Sequence, residues 1–159
     1  MFAKYKENIY ILSSNSRKKE IITRIQEKAD DDFTKDGSIF FRPISEDELS
    51  DIFSVDIWIN YDANLPNTPN KWSVDLSDSE LDNNSFLLRF TEGLLPGWEV
   101  EDKNVCTKRI HFDEITDAGI IYRYSKKHFI DYNDPLIEEF SIPLNGLTKY
   151  INMYRTNNI

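Results

Sequence analysis

The sequence predicts an α+β fold in a single domain spanning residues 1–159: a mostly antiparallel β-sheet with two or three helices packed on it. Three observations support this prediction. A chain of 159 residues with 40% hydrophobic content is long enough to bury one sizeable core. About seven or eight short segments alternate apolar and polar side chains between turn residues. After residue 62 there is no regular alternation of strands with helices, which argues against a parallel doubly wound sheet.

The first third of the chain predicts two strands and one helix. Residues 8–12 (NIYIL) and residues 38–44 (SIFFRPI) predict strands, and Pro43 marks either the end of the second strand or an edge position. Residues 17–29 predict a helix capped by Asn15 or Ser16, with a basic solvent face. The apolar residues of this helix recur at helical spacing: Ile21, Ile22, Ile25 and Ala29.

Residues 45–62 (SEDELSDIFSVDIWINYD) combine a helix signal with a strand signal. Ser45 and Glu48 have the spacing of a capping box, and the acids between them complement a helix dipole, so a second helix is predicted here. From Val55 the apolar period changes to two, which predicts a strand with Trp58 on its polar face. A tryptophan among carboxylates is typical of an interface anchor; the alternatives are a second buried face of the strand or burial of Trp58 under a loop.

The remaining elements follow from turn residues and alternation. Residues 63–70 (ANLPNTPN) predict a loop, and residues 77–84 (SDSELDNN) predict an acidic turn. Strands are predicted at residues 71–76, 86–90, 98–101, 105–112, 119–125 and 137–142, with a turn at Asp134-Pro135. A last helix, capped by Asn145, is predicted from four residues at i, i+3, i+4 and i+7: Leu147, Tyr150, Ile151 and Tyr154.

The charge distribution carries most of the functional argument. The net charge is −9, and residues 30–102 hold 18 Asp and Glu against four Lys and Arg. The rest of the chain holds 10 acids and 15 bases. Direct nucleic-acid binding and binding to anionic membranes both need a basic surface, so this distribution argues against them. It favours a basic protein partner, through steering and charge complementarity.

The sequence carries no catalytic motif of the phosphate-loop, dinucleotide-binding, zinc-protease or nucleophile-elbow type. Cys106 and His111 fall on opposite faces of one predicted strand, so a thiol–imidazole pair is not expected. The alternate acids of residues 78–82 resemble the start of a calcium loop, but Asn83 and Arg89 stand where that loop needs Gly and an acid. We therefore predict no enzyme activity, no cofactor and no metal.

The N-terminal region and the cysteine content predict a cytoplasmic protein. The longest apolar run near the N-terminus is residues 9–12, too short for a signal peptide or a membrane span. The single cysteine, Cys106, cannot form an internal disulfide, as is typical of a reducing compartment.

The acidic and aromatic stretch of residues 45–62, the turn at residues 77–84 and the mixed build around them resemble a class of bacterial proteins. The chain resembles the small acidic immunity proteins encoded beside secreted nuclease toxins, including those of contact-dependent growth inhibition systems. The resemblance is one of general character and involves no specific motif. It implies a non-enzymatic inhibitor that binds one cognate toxin domain in a 1:1 complex, over or near a basic substrate groove.

The predicted contact residues combine acids that pair with toxin Lys and Arg and one packed aromatic anchor. They are Glu46, Asp47, Asp51, Asp56, Trp58, Asp62, Asp78, Glu80 and Asp82. Two alternatives remain open at this point. One is an acidic regulator or nucleic-acid mimic that binds host nucleic-acid-binding proteins, and the other is a small enzyme with a carboxylate-based site.

Overall fold

A computed structural model describes residues 1–15, 18–74, 76 and 85–155 of the chain. In these residues the fold is mostly antiparallel β-sheet, with one α-helix and three single turns of 3-10 helix. The predicted α+β class with two or three packed helices is therefore wrong. Two segments that were predicted as helices form strands and 3-10 turns instead, for reasons given below.

The elements of the described residues are as follows. The strands are β1 (Phe2–Tyr5), β2 (Asn8–Asn15), β3 (Lys18–Thr23), β4 (Thr34–Asp36), β5 (Ile39–Pro43), β6 (Asp51–Asn60), β7 (Lys71–Ser73), β8 (Ser85–Phe90), β9 (Glu99–Asp102), β10 (Val105–His111), β11 (Asp117–Lys127) and β12 (Ile130–Ile142). The helix is α1 (Leu144–Arg155), and the 3-10 turns are Gln26–Lys28, Glu46–Glu48 and Phe112–Glu114. No helix in the described residues is long and apolar enough to cross a membrane.

The chain divides into two compact units, and strands β6, β11 and β12 each contribute residues to both. The first unit comprises Met1–Val55, Tyr122–Glu138 and Asn152–Ile159. The second unit comprises Asp56–Ile121 and Glu139–Ile151.

The helix predicted at residues 17–29 is replaced by strand β3 and the 3-10 turn Gln26–Lys28. Within β3 the buried side chains are Ile21 and Thr23, two residues apart, as the period of a strand requires. The run of three β-branched residues at 21–23 is stiff at χ1 and favours a pleated conformation over a helix. Pairing of β3 with β2 on one side and β5 on the other then fixes the segment as a central strand.

The helix predicted from Ser45 is a single 3-10 turn, Glu46–Glu48, closed by the capping box that the sequence indicates. The chain leaves this turn at Leu49, which is extended and fully buried. Strand β6 then begins at Asp51, because Ile52 pairs with Ala3 of β1 and Phe53 pairs with Phe2. Tertiary pairing has therefore overridden the local helix signal after one turn.

The first unit is organised by antiparallel strands in the order β12-β11-β6-β1-β2-β3-β5-β4. Its main core contains side chains from β1, β2, β3 and the start of β6: Ala3, Tyr5, Tyr10, Leu12, Ile21, Ile44, Leu49 and Ile52. A cluster of aromatic rings packs Phe53 against Tyr122 and Tyr124, and Phe2 against Tyr154, with centroids 5.1–5.6 Å apart. Each such ring pair contributes about 0.5–1.5 kcal/mol beyond the area that it buries.

The second unit contains a three-stranded sheet in the order β8-β10-β9, and the short strand β7 pairs with β6. Its core centres on Trp72, which stacks on Trp98 with ring centroids 5.2 Å apart and meets Tyr61 edge-on. The Trp72 indole N–H donates a 2.9 Å hydrogen bond to the Tyr61 carbonyl, so this buried donor is satisfied. Ile57 and Ile59 of β6 are fully buried in this unit.

Several predicted elements are confirmed. Strands β2, β5, β8, β9, β10 and β11 occupy the segments in which alternation predicts them, and β6 buries Val55, Ile57 and Ile59 as expected. Helix α1 buries Leu147, Ile151 and Tyr154 along one stripe. The turn predicted at Asp134-Pro135 is wrong, because both residues lie inside β12.

Candidate functional site

Trp58 lies on β6 in the second unit and is half-buried, on the face opposite to Ile57 and Ile59. Its indole ring packs on the backbone of Gly119 in β11, where a Cβ atom would stand under 3.0 Å from three ring atoms. The Lys71 ammonium lies 4.2 Å from the centroid of the ring, a cation–π contact, and is ion-paired with Glu139. The ring is therefore held between the Gly119 backbone and the Lys71–Glu139 ion pair of the second unit.

The turn at residues 45–48 in the first unit is fixed by the carboxylate of Glu48. This carboxylate accepts hydrogen bonds from the Ser45 backbone N–H at 3.0 Å and from the Ser45 hydroxyl at 2.8 Å. It also accepts one from the Arg42 guanidinium at 2.7 Å. The Ser45 backbone donor, followed by Arg42, lowers the pKa of Glu48 to about 2. Glu48 is thus a structural acid that positions the turn.

The neighbouring acids Glu46 and Asp47, both predicted contacts, differ in their surroundings. Glu46 is ion-paired with Lys19, and its backbone carbonyl accepts a hydrogen bond from the buried ammonium of Lys126. Asp47 is exposed and has no ion pair among the described residues. Of the acids in this turn, Asp47 is therefore the one that is exposed and not ion-paired in the described part of the chain.

Asp51, another predicted contact, is buried at the start of β6, with 6% of its surface exposed. Its carboxylate accepts a 2.9 Å hydrogen bond from the backbone N–H of His128, in the turn between β11 and β12. The His128 imidazole Nδ1 is 3.8 Å from the same oxygen. Asp51 therefore ties the β11–β12 turn to β6 and does not present its carboxylate at the surface.

Asp62 lines a polar cleft of about 660 Å³ in the second unit, just beyond the end of β6. Its Oδ1 accepts a 2.8 Å hydrogen bond from the Asn64 backbone N–H, which orients the carboxylate at the rim. On the cleft wall the Lys108 ammonium donates to the Tyr61 hydroxyl at 2.7 Å. The cleft is lined by Asn60, Tyr61, Asp62, Ala63, Asn64, Asn70, Lys108, Glu114 and Thr116.

The structure groups the predicted contacts by unit. Glu46, Asp47 and Asp51 belong to the first unit, near the turn that precedes β6. Asp56 and Trp58 lie on one face of β6 in the second unit, and Asp62 follows the end of that strand. The remaining three predicted contacts, Asp78, Glu80 and Asp82, lie outside the residues that the structure describes.

The sequence interpretation missed an exposed apolar segment on β12 and the turn before it. Phe129, Ile130, Leu136 and Ile137 are all exposed, although all four are large hydrophobic residues. The available signal was the pair Leu136-Ile137 directly after Pro135. Consecutive apolar residues place a hydrophobic side chain on each face of a strand, and a proline confines that strand to a sheet edge.

The remaining chemistry that the sequence suggests rests on Cys106 and on groups of carboxylates. Cys106 is fully buried on β10, and its sulfur accepts a hydrogen bond from the Leu95 N–H at 3.4 Å and contacts the Gly93 carbonyl at 3.6 Å. The thiol therefore holds the loop between β8 and β9 in place. Within the described ranges, no three His, Cys, Asp or Glu side chains converge as metal ligands.

Comparison of the chain with protein-family models, with curated proteins and with solved structures finds no match.

Proposed function

We propose that this chain is an immunity-type protein that binds and neutralises one basic toxin domain, a nuclease by preference, in the cytoplasm. The partner would be held by acidic side chains around a packed aromatic anchor, with no reaction catalysed by the chain itself. The proposal follows the resemblance in general character and the charge distribution of the sequence.

The observation that carries this proposal is the exposure of the acidic excess. Every described Asp and Glu of residues 30–102 is exposed except Asp51 and Asp56. Three of the four bases in this segment, Arg42, Lys71 and Arg89, already pair with carboxylates. The few cations of this segment therefore cancel little of its excess. By unit, the excess falls on the second, which holds 14 acids against six bases, whereas the first holds 14 acids against 13 bases, so the negative field is that of the second unit.

A nuclease domain is the partner that this field fits best. A nuclease holds phosphates with Lys and Arg, so its substrate groove is basic and attracts an acidic surface. Steering of this kind raises association rates to about 10⁸ M⁻¹s⁻¹ at low salt. Rapid capture suits an inhibitor, because a free toxin acts until it is bound.

Capture of a basic partner and loss of its activity test the proposal together. A tagged chain would be used to capture partners from the source lysate, supplemented with the product of the adjacent gene, under low-salt and then high-salt washes. We expect one stoichiometric basic partner that survives the high-salt wash and loses nuclease activity in the complex. Asp47→Lys should weaken capture, whereas Glu27→Lys should not, because Glu27 is an exposed acid outside residues 30–102.

Two results would contradict the proposal. Many basic partners that are all released by salt would indicate a nucleic-acid mimic. Equal loss of capture in the Asp47→Lys and Glu27→Lys variants would mean that overall charge, and not the acidic segment, drives binding.

A further inference from the structure

Strand β12 is an outer edge of the first unit. Among the described residues it pairs only with β11, so one row of its backbone N–H and C=O groups has no strand beside it; Pro135 has no N–H and interrupts the donors of this strand after Asp134. The opposite edge strand, β4, is three residues long and carries only polar side chains, which is the usual protection of an edge. β12 spans 13 residues, of which those in the first unit run from Ile130 to Glu138.

The exposed surface of this edge strand is rich in apolar side chains. From Ile130 to Ile137 every residue is exposed except Tyr132, which is half-buried. Ile130 and Ile137 are each 57% exposed, and Leu136 is exposed beside them. An exposed edge is a template for pairing with another strand, and charges and proline limit indiscriminate pairing. Asp131, Asp134 and Pro135 interrupt the apolar side chains of this edge, so a strand that pairs here must complement the acids.

The turn that leads into β12 exposes an aromatic side chain in a backbone conformation that Lys6 and Glu7 also adopt in the β1–β2 turn. His128 and Phe129 form a two-residue loop with φ of 48° and 69°, the left-handed region that hairpin loops normally fill with Asn and Gly. A phenylalanine in this conformation is strained. Its side chain is also 74% exposed, so burial does not compensate for the strain. An exposed aromatic side chain at a fixed turn is available for contact with a partner protein.

We infer that β12 receives an extended, basic segment of a partner protein, which adds to the sheet as a further antiparallel or parallel strand. Backbone pairing would supply register, and Phe129, Ile130 and Ile137 would supply apolar contacts. The partner segment is expected to be basic because residues 129–148 of this chain contain four acids and no Lys or Arg. Glu138 pairs with Lys127, but Asp131 and Asp134 remain exposed along the first-unit part of the strand.

The same charges argue against a second copy of this chain as the occupant. Pairing β12 with its own counterpart would align two strands that carry only negative charges, and like charges across strands are destabilising. A partner strand that alternates Lys or Arg with apolar residues satisfies both the acids and the exposed hydrophobic side chains. The inference rests on the proposed function in one respect, since it names the chemistry of the toxin segment that is bound.

A synthetic peptide of alternating lysine and valine is the probe that tests this inference. Hydrogen–deuterium exchange of the full chain would be followed with the peptide and with a control peptide in which a central valine is replaced by proline. The control keeps the charge but cannot form a continuous ladder. We expect the first peptide to slow exchange of β12 amides by about tenfold or more and the control peptide to leave them unchanged.

A substitution separates edge binding from general attraction. Ile137→Lys places a cation on the edge and should weaken binding of the lysine–valine peptide by about tenfold. Leu94→Lys makes the same change at an exposed loop residue and should leave binding unchanged. Both positions are exposed, so both variants are expected to fold.

Three outcomes would overturn the inference: equal binding of both peptides, protection that avoids β12, or self-association of the chain through β12. These outcomes are distinct from failure of the proposed function. If a basic partner is captured and neutralised while β12 amides stay unprotected in that complex, the inference alone fails. If the peptide protects β12 but no partner is ever neutralised, the inference holds and the immunity role fails.

Discussion

The indole ring of Trp58 lies directly on the backbone of Gly119, with no room for a side chain between them. Glycine at this position of β11 is therefore required by a close approach and not by backbone conformation. The Trp58 ring therefore packs against the sheet at Gly119, and the Lys71 ammonium makes a cation–π contact with the same ring. Trp58, which the sequence marks as unusual among acids, is thus a half-buried and positioned side chain within the second unit.

Gly119→Ala should destabilise the protein by about 1–3 kcal/mol, because the added methyl group forces the Trp58 ring to shift. Gly146→Ala is the matched control: Gly146 lies in α1, where a Cβ would meet its nearest atoms at 3.9 Å, and alanine should stabilise the helix by about 0.5–1 kcal/mol. Urea unfolding measures both changes. The destabilisation by Gly119→Ala should largely disappear in a Trp58→Ala background, and an equal cost in both backgrounds would show that the indole is not its cause.

Glu48 should contribute stability that depends on pH. Its pKa is about 2 in the folded chain against an ordinary value of 4.5, because Ser45 and Arg42 donate to its carboxylate. A lowered carboxyl pKa stabilises the folded state above pH 4.5, and this contribution is lost as the pH falls from about 4.5 to 2. Glu48→Gln should therefore lower stability at neutral pH and make the acid-induced loss of stability less steep across that window.

Asp47→Asn is the control for this experiment, since Asp47 lies in the same turn and has no ion pair among the described residues. It should leave the slope of unfolding free energy against pH closer to that of the parent than Glu48→Gln does. Chemical unfolding at a series of pH values gives both slopes. Identical profiles for Glu48→Gln and the parent would mean that the hydrogen bonds of this turn do not favour the ionised form.

The sequence predicts most strands of this fold correctly, because alternation is a direct consequence of a half-buried sheet. In β6 the period-two pattern of residues 55–61 matches the observed burial. The helix at the C-terminus was also predictable, since its apolar stripe extends over three turns. These are elements in which the local pattern and the tertiary environment agree.

The helices predicted at residues 17–29 and from Ser45 onward show where such a pattern is ambiguous. Over a short window the apolar residues Ile21, Ile22 and Ile25 fit a helical stripe, yet pairing of β3 with two neighbouring strands decides the conformation. For the candidate site, residue type and spacing indicate acids but not their environment. The order of strands in the sheet decides these environments. It determines that Asp51 is buried, that Trp58 packs on Gly119 and that β12 lies at an edge.

A substitution in the turn between β11 and β12 should raise the stability of the fold and weaken peptide binding at the same time. Phe129→Gly relieves the positive φ of 69° and should stabilise the fold by about 1 kcal/mol, while removing an exposed contact residue of the proposed edge site. Glu7→Gly is a matched control, because Glu7 occupies the second loop position of the β1–β2 turn with φ of 65°. Thermal unfolding should show stabilisation in both variants, and peptide binding should weaken in Phe129→Gly alone. If peptide binding weakens in both variants, the loss of binding does not come from removal of the Phe129 ring.

Trp58 and Asp47 should affect different rate constants of the proposed complex. Asp47→Lys changes the long-range field and should lower the association rate constant, most clearly at low salt. Trp58→Ala removes packed apolar surface and should raise the dissociation rate constant, with a cost in affinity of about 2 kcal/mol or more. Surface plasmon resonance with the captured toxin domain at two salt concentrations separates the two effects, and circular dichroism checks that both variants fold. If Trp58→Ala folds normally and dissociates at the parental rate, Trp58 is a structural residue of the second unit, seated on Gly119, and the partner contacts lie elsewhere.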